Sequence, residues 1–185
     1  CGADIDYYAS EGYPPLWIEG RHLKADAPLR MRGNVSSQYV SAMMMVAPMM
    51  KGGLTIEIEG GLTSRPYVEM TAALMRHFGA EVTVGESTIV IEGKPYSPSS
   101  LTVESDWSAA SYWYEIKARC PDLDIRLNGL QSDSLQGDSR VAEYFKLFGV
   151  TTEYTDNGVA LGFCDADRDA ALNIDLSSQP DIAQT

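Results

Sequence analysis

Long apolar runs are absent from this chain of 185 residues. The longest, Ala42 to Met50, is cut by Pro48 and falls short of the roughly 20 residues that a helix needs to cross a hydrocarbon core. A membrane-bound role is therefore not expected. Basic residues are scarce as well, 14 Lys and Arg against 26 Asp and Glu. The net charge of -12 repels polyanions, which disfavours a nucleic-acid partner and still permits a small anion in a local positive pocket. Cysteine is represented only by Cys1, Cys120 and Cys164, far apart and without a CxxC or a nearby His. Neither a disulfide framework nor a zinc site is signalled, and a reducing cytoplasm is the expected compartment. His22 and His77 are isolated, with no partner for a triad or a metal. No G-x-S-x-G, P-loop or G-x-G-x-x-G occurs, which removes the common hydrolase and nucleotide-binding readings. The opening residues include no basic region followed by an apolar one, so a retained secretory signal is not expected.

What the chain does contain is a repeat. With 44% hydrophobic and 22% charged residues it can bury a core. Three segments align, "CGADIDYYASEGYPPLWIEG", "FGAEVTVGESTIVIEG" and "FGVTTEYTDNGVALGFC", each a hairpin pattern recurring at about 70 residues. One complete unit reads as strand "LRMRG", a helix from Ser37 to Met50, strand "LTIEIEG", helix "SRPYVEMTAALMRHFG", and strands "AEVTV" and "TIVIEG". The next reads as strand "LTVES", helix "WSAASYWYEIKARC", strand "DIRLNGL", helix "DSRVAEYFKLFG", and strands "TTEYT" and "GVALGF". The fold class is thus mixed α/β, built from β-α-β-α-β-β units in which period 2 and period 3.6 alternate at matching places. Val68, Ala72, Leu74, Met75 and Phe78 form one apolar helix face, and Val141, Tyr144, Phe145 and Phe148 another; the five methionines between Ala42 and Met50 read as a buried helix body. The repeat phase puts Cys1 inside a hairpin and "LNIDLSSQPDIAQT" at a strand entering a helix, so a fragment of a longer protein is expected. The stretch "GKPYSPSS" is the candidate domain boundary, dividing 1–100 from 101–185.

Candidate chemistry sits at helix starts. Free N-H groups and the helix dipole make such an end receptive to an anion. In "GNVSSQ" the glycine allows close approach, Ser36 and Ser37 offer hydroxyls and Gln38 an amide donor; simple capping by Asn34 or Ser36 explains the same pattern. In "LTSRPYVEM", Ser64, Pro66 and Glu69 suit ordinary helix initiation, while Arg65 and Tyr67 project near the same end. Asp181 in "SSQPDIAQT" reads either as a dipole-favoured carboxylate or as a rigidly held base. Asp106 and Asp138 read as N-caps.

Taken together, "GNVSSQYVSAMMMVAP", "TSRPYVEMTAALMRHFG", "VESDWSAASYW", "LQGD" and "PDIAQT", in this order and spacing, resemble the EPSP synthases, the 3-phosphoshikimate 1-carboxyvinyltransferases. The resemblance extends over essentially the whole chain. It implies an inside-out α/β barrel of the enolpyruvyl transferase fold, two domains of three β-α-β-α-β-β units each, with the active site in the cleft between them. It implies transfer of the enolpyruvyl group of phosphoenolpyruvate to the 5-hydroxyl of shikimate 3-phosphate, without a metal or organic cofactor, by a monomeric cytoplasmic enzyme. By resemblance Ser36, Ser37 and Ser64 hold the 3-phosphate, with Arg65 nearby. Gln38 touches both substrates, Tyr67 lies against the shikimate ring and Asp181 accepts the hydroxyl proton. Position 65 departs from the pattern, being Arg where many members carry Lys. The family's N-terminal Lys/Ser/Arg segment, its glycine-rich loop with an arginine, and its C-terminal arginines and lysine have no counterpart here, so this chain alone is expected to be inactive. Rival readings are the sister enolpyruvyl transferase acting on UDP-N-acetylglucosamine, a phosphate-binding module akin to the RNA 3'-phosphate cyclases, and an isolated non-catalytic domain.

Overall fold

The structure, a computed structural model, describes residues 1–165 and 172–185. They gather into two compact units, one of residues 1–63 and 71–99, the other of residues 64–70 and 100–185. None of the helices among the described residues is long and apolar enough to cross a membrane.

The first unit opens with the expected hairpin, β1 (Asp4–Tyr7) antiparallel to β2 (Leu16–Glu19), with Arg21 paired to Asp4 and Glu19 across its base. Four further strands follow: β3 (Leu29–Arg32), β4 (Leu54–Glu59), β5 (Val82–Val84) and β6 (Thr88–Ile91). They form one sheet in the order β3-β4-β6-β5, in which β3 runs parallel to β4 and the other pairs are antiparallel. Strict alternation in "LTIEIE" places Leu54, Ile56 and Ile58 inward and Glu57 and Glu59 outward, the period of a strand with one buried face.

Helix α1 (Ser37–Val46) follows β3 and ends early, because Pro48 has no N-H to continue the ladder; Ala47–Met49 form a 3-10 turn instead. The expectation of a wholly buried methionine helix is corrected here. Met44 and Met50 are buried, whereas Met45 and Met49 are 51% and 66% exposed. A ten-residue helix on a sheet covers one face only, and Met45 lies on the other, while Met49 ends the 3-10 turn that follows the helix. In α2 (Arg65–His77) the stripe Val68, Ala72 and Met75 is buried as expected. Leu74 and Phe78 are only half-buried, and line an apolar cavity of about 390 Å³ with Met45, Thr71, Met75 and Tyr96.

The second unit repeats this order with less regular helices. It contains α3 (Trp107–Arg119), β7 (Ile125–Asn128), α4 (Val141–Tyr144), β8 (Val150–Thr155) and β9 (Gly158–Phe163). Its antiparallel sheet runs β7-β9-β8, the arrangement of β4-β6-β5 over again. The expected strand "LTVES" is not formed: Ser105 N donates to Gly129 O at 2.9 Å, but Val103 is 83% exposed and has no core to cover. The strand expected in "LNIDL" is missing too, since the Asp175 carboxylate accepts from Ser177 N at 2.9 Å and turns the chain. The helix expected over "DSRVAEYFKLFG" is broken into the 3-10 turn Gly137–Arg140, the short α4 and the 3-10 turn Phe145–Phe148. Its Gly, Asp, Ser, Val and aromatic residues are all weak helix formers. At its end Phe148 rests 5.4 Å from the Phe145 ring but is 42% exposed, not inward as expected.

Trp107, Tyr114, Val141, Phe145, Val150 and Leu161 make the centre of this second core. Tyr114 stands 6.5 Å from the Trp107 ring and 5.7 Å from Phe145, with its hydroxyl 2.9 Å from Thr152 Oγ1. Burial pushes its phenol up to about 12, partly opposed by the Thr152 bond. A phenol with a raised folded-state value stabilises fully below its ordinary value of about 10, and that contribution is lost as pH rises through the folded value. Folding stability is thus expected to fall between pH 10 and 12, by about 2–3 kcal/mol through Tyr114, and the melting temperature with it. Tyr114→Phe should flatten this part of the melting-temperature curve at a cost of about 1 kcal/mol at neutral pH. An unchanged alkaline slope in the variant would exclude Tyr114 as its source.

Candidate functional site

In the first unit, the chain leaves β3 through Gly33, whose N-H donates to Glu59 O at 2.7 Å. Its carbonyl accepts from Thr63 N at 3.0 Å and from Thr63 Oγ1 at 2.6 Å. A Cβ at Gly33 would overlap the Gly61 carbonyl, so the glycine serves close approach between two backbone segments. Ser36 is the N-cap of α1, its Oγ accepting from Gln38 N at a long 3.4 Å. Ser37 begins the helix half-buried, and Gln38 is exposed. No acidic residue lies in the first turn, so the positive end of the dipole is uncompensated there.

The second unit holds Ser64, Arg65, Tyr67 and Asp181. Ser64, just before α2, has φ 56°, the left-handed region and the sole non-glycine there among the described residues. Such a conformation costs a serine about 1–3 kcal/mol and is held by its surroundings. Arg65 Nη2 donates to Glu69 Oε1 at 2.9 Å, one turn along α2. Both side chains are partly exposed, so this pair adds little stability and leaves the arginine able to turn elsewhere.

Tyr67 is the centre of the arrangement. Its hydroxyl donates to Asp138 Oδ1 at 2.8 Å, and the other Asp138 oxygen accepts a short bond from Ser108 Oγ. Asp138 is only 2% exposed. The N-cap role expected for it is corrected: Gln136 stands at the N-cap position, with no side-chain cap bond, and the Asp138 side chain faces inward to bind two hydroxyls. Asp106, by contrast, caps α3 as expected, accepting from Ser108 N at 2.8 Å. Burial raises the Tyr67 phenol well above its ordinary range, the Asp138 bond and charge raise it further, and the charge and hydrogen bonding of Asp181 act in the same direction. The hydroxyl therefore stays protonated and acts as a donor.

Asp181 is exposed on the 3-10 turn Pro180–Ile182, which is shorter than the helix expected there. The turn is anchored on both sides. Ile182 is buried in the second core, and Gln179, 2% exposed, accepts from Tyr144 Oη at 2.9 Å. An exposed carboxylate between two buried neighbours is held in place yet open to a ligand, as a general base requires. Sequence reasoning brought out Tyr67 and Asp181 separately but missed Asp138 as their companion and Gln179 as an anchor. The glycine of "LQGD" was the available signal, because a Cβ at Gly137 would stand 2.5 Å from the Pro66 Cβ. Among the described residues no group of three or more His, Cys, Asp or Glu is placed to hold a metal ion.

The EPSP synthase (3-phosphoshikimate 1-carboxyvinyltransferase) family model matches residues 1–182. A Bacteroides fragilis protein named 3-phosphoshikimate 1-carboxyvinyltransferase is 48% identical over 188 residues, covering 100% of this chain and 45% of the relative. Proteins of the same name from Ralstonia nicotianae and Vibrio atlanticus are 38% and 34% identical, again over 100% of this chain and over 44% and 43% of their own lengths. The chain spans less than half the length of these curated relatives.

Proposed function

This chain belongs to the EPSP synthase family, and on that premise we propose that, as part of a longer polypeptide, it transfers the enolpyruvyl group of phosphoenolpyruvate to the 5-hydroxyl of shikimate 3-phosphate. Ser36, Ser37 and Ser64 bind the 3-phosphate, a dianion suited to hydroxyl donors at helix starts. Arg65 supplies positive charge close by once it turns from Glu69, and Gln38 contacts both substrates. Tyr67 packs against the shikimate ring. Asp181 takes the proton from the 5-hydroxyl as that oxygen bonds to the central carbon of the enolpyruvyl group, whose methylene carbon gains a proton. The tetrahedral adduct then loses phosphate from the central carbon and a proton from the adjacent methyl group, which forms the enol ether product. Positive charge develops on the central carbon during protonation, where a nearby carboxylate stabilises it electrostatically. No metal or organic cofactor is invoked.

The observation that carries this reading is the anchored, exposed Asp181 whose charge acts on the Tyr67 hydroxyl. In the same proposal the complete protein is a cytoplasmic monomer with an inside-out barrel of repeated units. Residues 1–100 fall in its N-terminal domain and 101–185 in its C-terminal one; the change of unit at Ser99 and Ser100 favours this division, whereas residues 64–70 gather with the second unit. Calorimetric titration of the complete polypeptide is expected to give binding with shikimate 3-phosphate and none with UDP-N-acetylglucosamine. Binding of the sugar nucleotide alone would overturn the substrate assignment. Residues 1–185 by themselves are expected to give no phosphate release above background from the two substrates in a coupled assay; turnover matching that of the complete polypeptide would show that no further segment is required.

A further inference from the structure

We propose that Asp138 is a positioning residue for the reaction, a buried carboxylate that fixes the Tyr67 hydroxyl and with it the ring that meets the shikimate. This role deepens the enolpyruvyl-transfer reading and rests on it. Three features converge on Asp138. The carboxylate is 2% exposed, and each oxygen accepts from a different helix, Oδ1 from Tyr67 in α2 at 2.8 Å and Oδ2 from Ser108 in α3. Such charge-assisted bonds are roughly twice as strong as neutral ones, and a carboxylate removed from water depends on them. The preceding residue is glycine, and a Cβ there would stand 2.5 Å from the Pro66 Cβ, so the 3-10 turn carrying Asp138 and the first turn of α2 meet at a spacing only glycine permits. Asp138 itself is engaged on both oxygens, while the second carboxylate acting on Tyr67, Asp181, is exposed on its anchored turn. The buried carboxylate is thus wholly taken up in holding hydroxyls, whereas the other, which also acts on the phenol, faces solvent. A tyrosine ring positions a cyclic substrate by contact with one of its faces, and its precision depends on how firmly its far end is tied.

The test is a double-mutant cycle in the complete polypeptide, read as the calorimetric Kd for shikimate 3-phosphate. Tyr67→Phe and Asp138→Asn should each raise Kd about 10-fold, the scale of one lost hydrogen bond. The double variant should also be about 10-fold weaker, since both changes remove the same restraint. A product of the two effects, about 100-fold, would show that Asp138 acts independently of Tyr67 and would overturn the proposal. A second readout needs no substrate: the Cζ resonance of 13C-labelled Tyr67, assigned by its loss in Tyr67→Phe, should move in Asp138→Asn. If it stays in place, Asp138 does not hold the phenol. If it moves while neither single variant alters Kd, Asp138 holds Tyr67 but the substrate-binding assignment of Tyr67 fails, which separates the two readings. Should Asp138→Asn fail to fold, Ser108→Ala keeps the carboxylate and removes one of its two donors. A rise in Kd of about 3-fold, abolished in the Tyr67→Phe background, is then the supporting result. Persistence of that rise without the hydroxyl would refute positioning through Tyr67.

Discussion

Asp181→Ala in the complete polypeptide is expected to lower kcat by about 10²-fold or more, with KM for shikimate 3-phosphate changed only a few fold. A general base acts on the proton in flight, so its loss appears in turnover ahead of ground-state binding. The side chain is exposed and its placement depends on Gln179 and Ile182, both buried, so alanine should leave the fold intact, within about 0.5 kcal/mol. Steady-state phosphate release, alongside a melting curve, separates the two effects. Near-normal turnover with an unchanged melt would remove Asp181 from the chemistry. Asp181→Asn keeps the size and polarity but cannot take up the proton, and should match alanine in kcat. If the asparagine variant were instead close to wild type, the carboxylate would be serving as a hydrogen-bond acceptor only.

The parts of this molecule that were legible in its sequence are those whose cause is local. Alternation in "LTIEIE" and "GVALGF" and the Asp106 cap are set within a few residues, and β4, β9 and α3 follow them, whereas α1, expected to run through Pro48 to Met50, stops at Val46. Strands that need a distant partner were less secure. "LTVES" has the pattern of a strand yet makes one bond to Gly129, because its apolar face has nothing to cover. Asp138 shows the same limit for a site. Spacing makes it a cap, but its actual partner, Tyr67, lies 71 residues away and is reached only through the turn that Gly137 allows. The left-handed backbone of Ser64 likewise leaves no mark in "LTSRPY", since serine is an ordinary residue before a helix. Short-range chemistry thus identified the candidate residues, and long-range packing decided which of them meet.

Gly33→Ala is expected to destabilise the chain by about 2–4 kcal/mol, the sum of overpacking against backbone and the loss of one or more hydrogen bonds. Its φ is not in the left-handed region, so the cost does not come from backbone strain. It comes from the Gly61 carbonyl, which a methyl group at position 33 would overlap, and a backbone carbonyl cannot rotate away as a side chain can. To make room, the segment before α2 must move, and the bonds from Thr63 N and Thr63 Oγ1 to the Gly33 carbonyl lengthen or break. Gly20→Ala is the matching control: nothing lies within 4 Å of the added carbon there, and a change below about 0.5 kcal/mol is expected. Urea midpoints for the two variants decide the matter, because equal midpoints would mean that Gly33 carries no steric constraint. The same displacement reaches function, since Gly33 lies three residues before the Ser36 cap. In the complete polypeptide Gly33→Ala should therefore weaken shikimate 3-phosphate binding even below its melting temperature. A loss of stability with unchanged affinity would instead mean that the start of α1 keeps its place independently of the turn that precedes it.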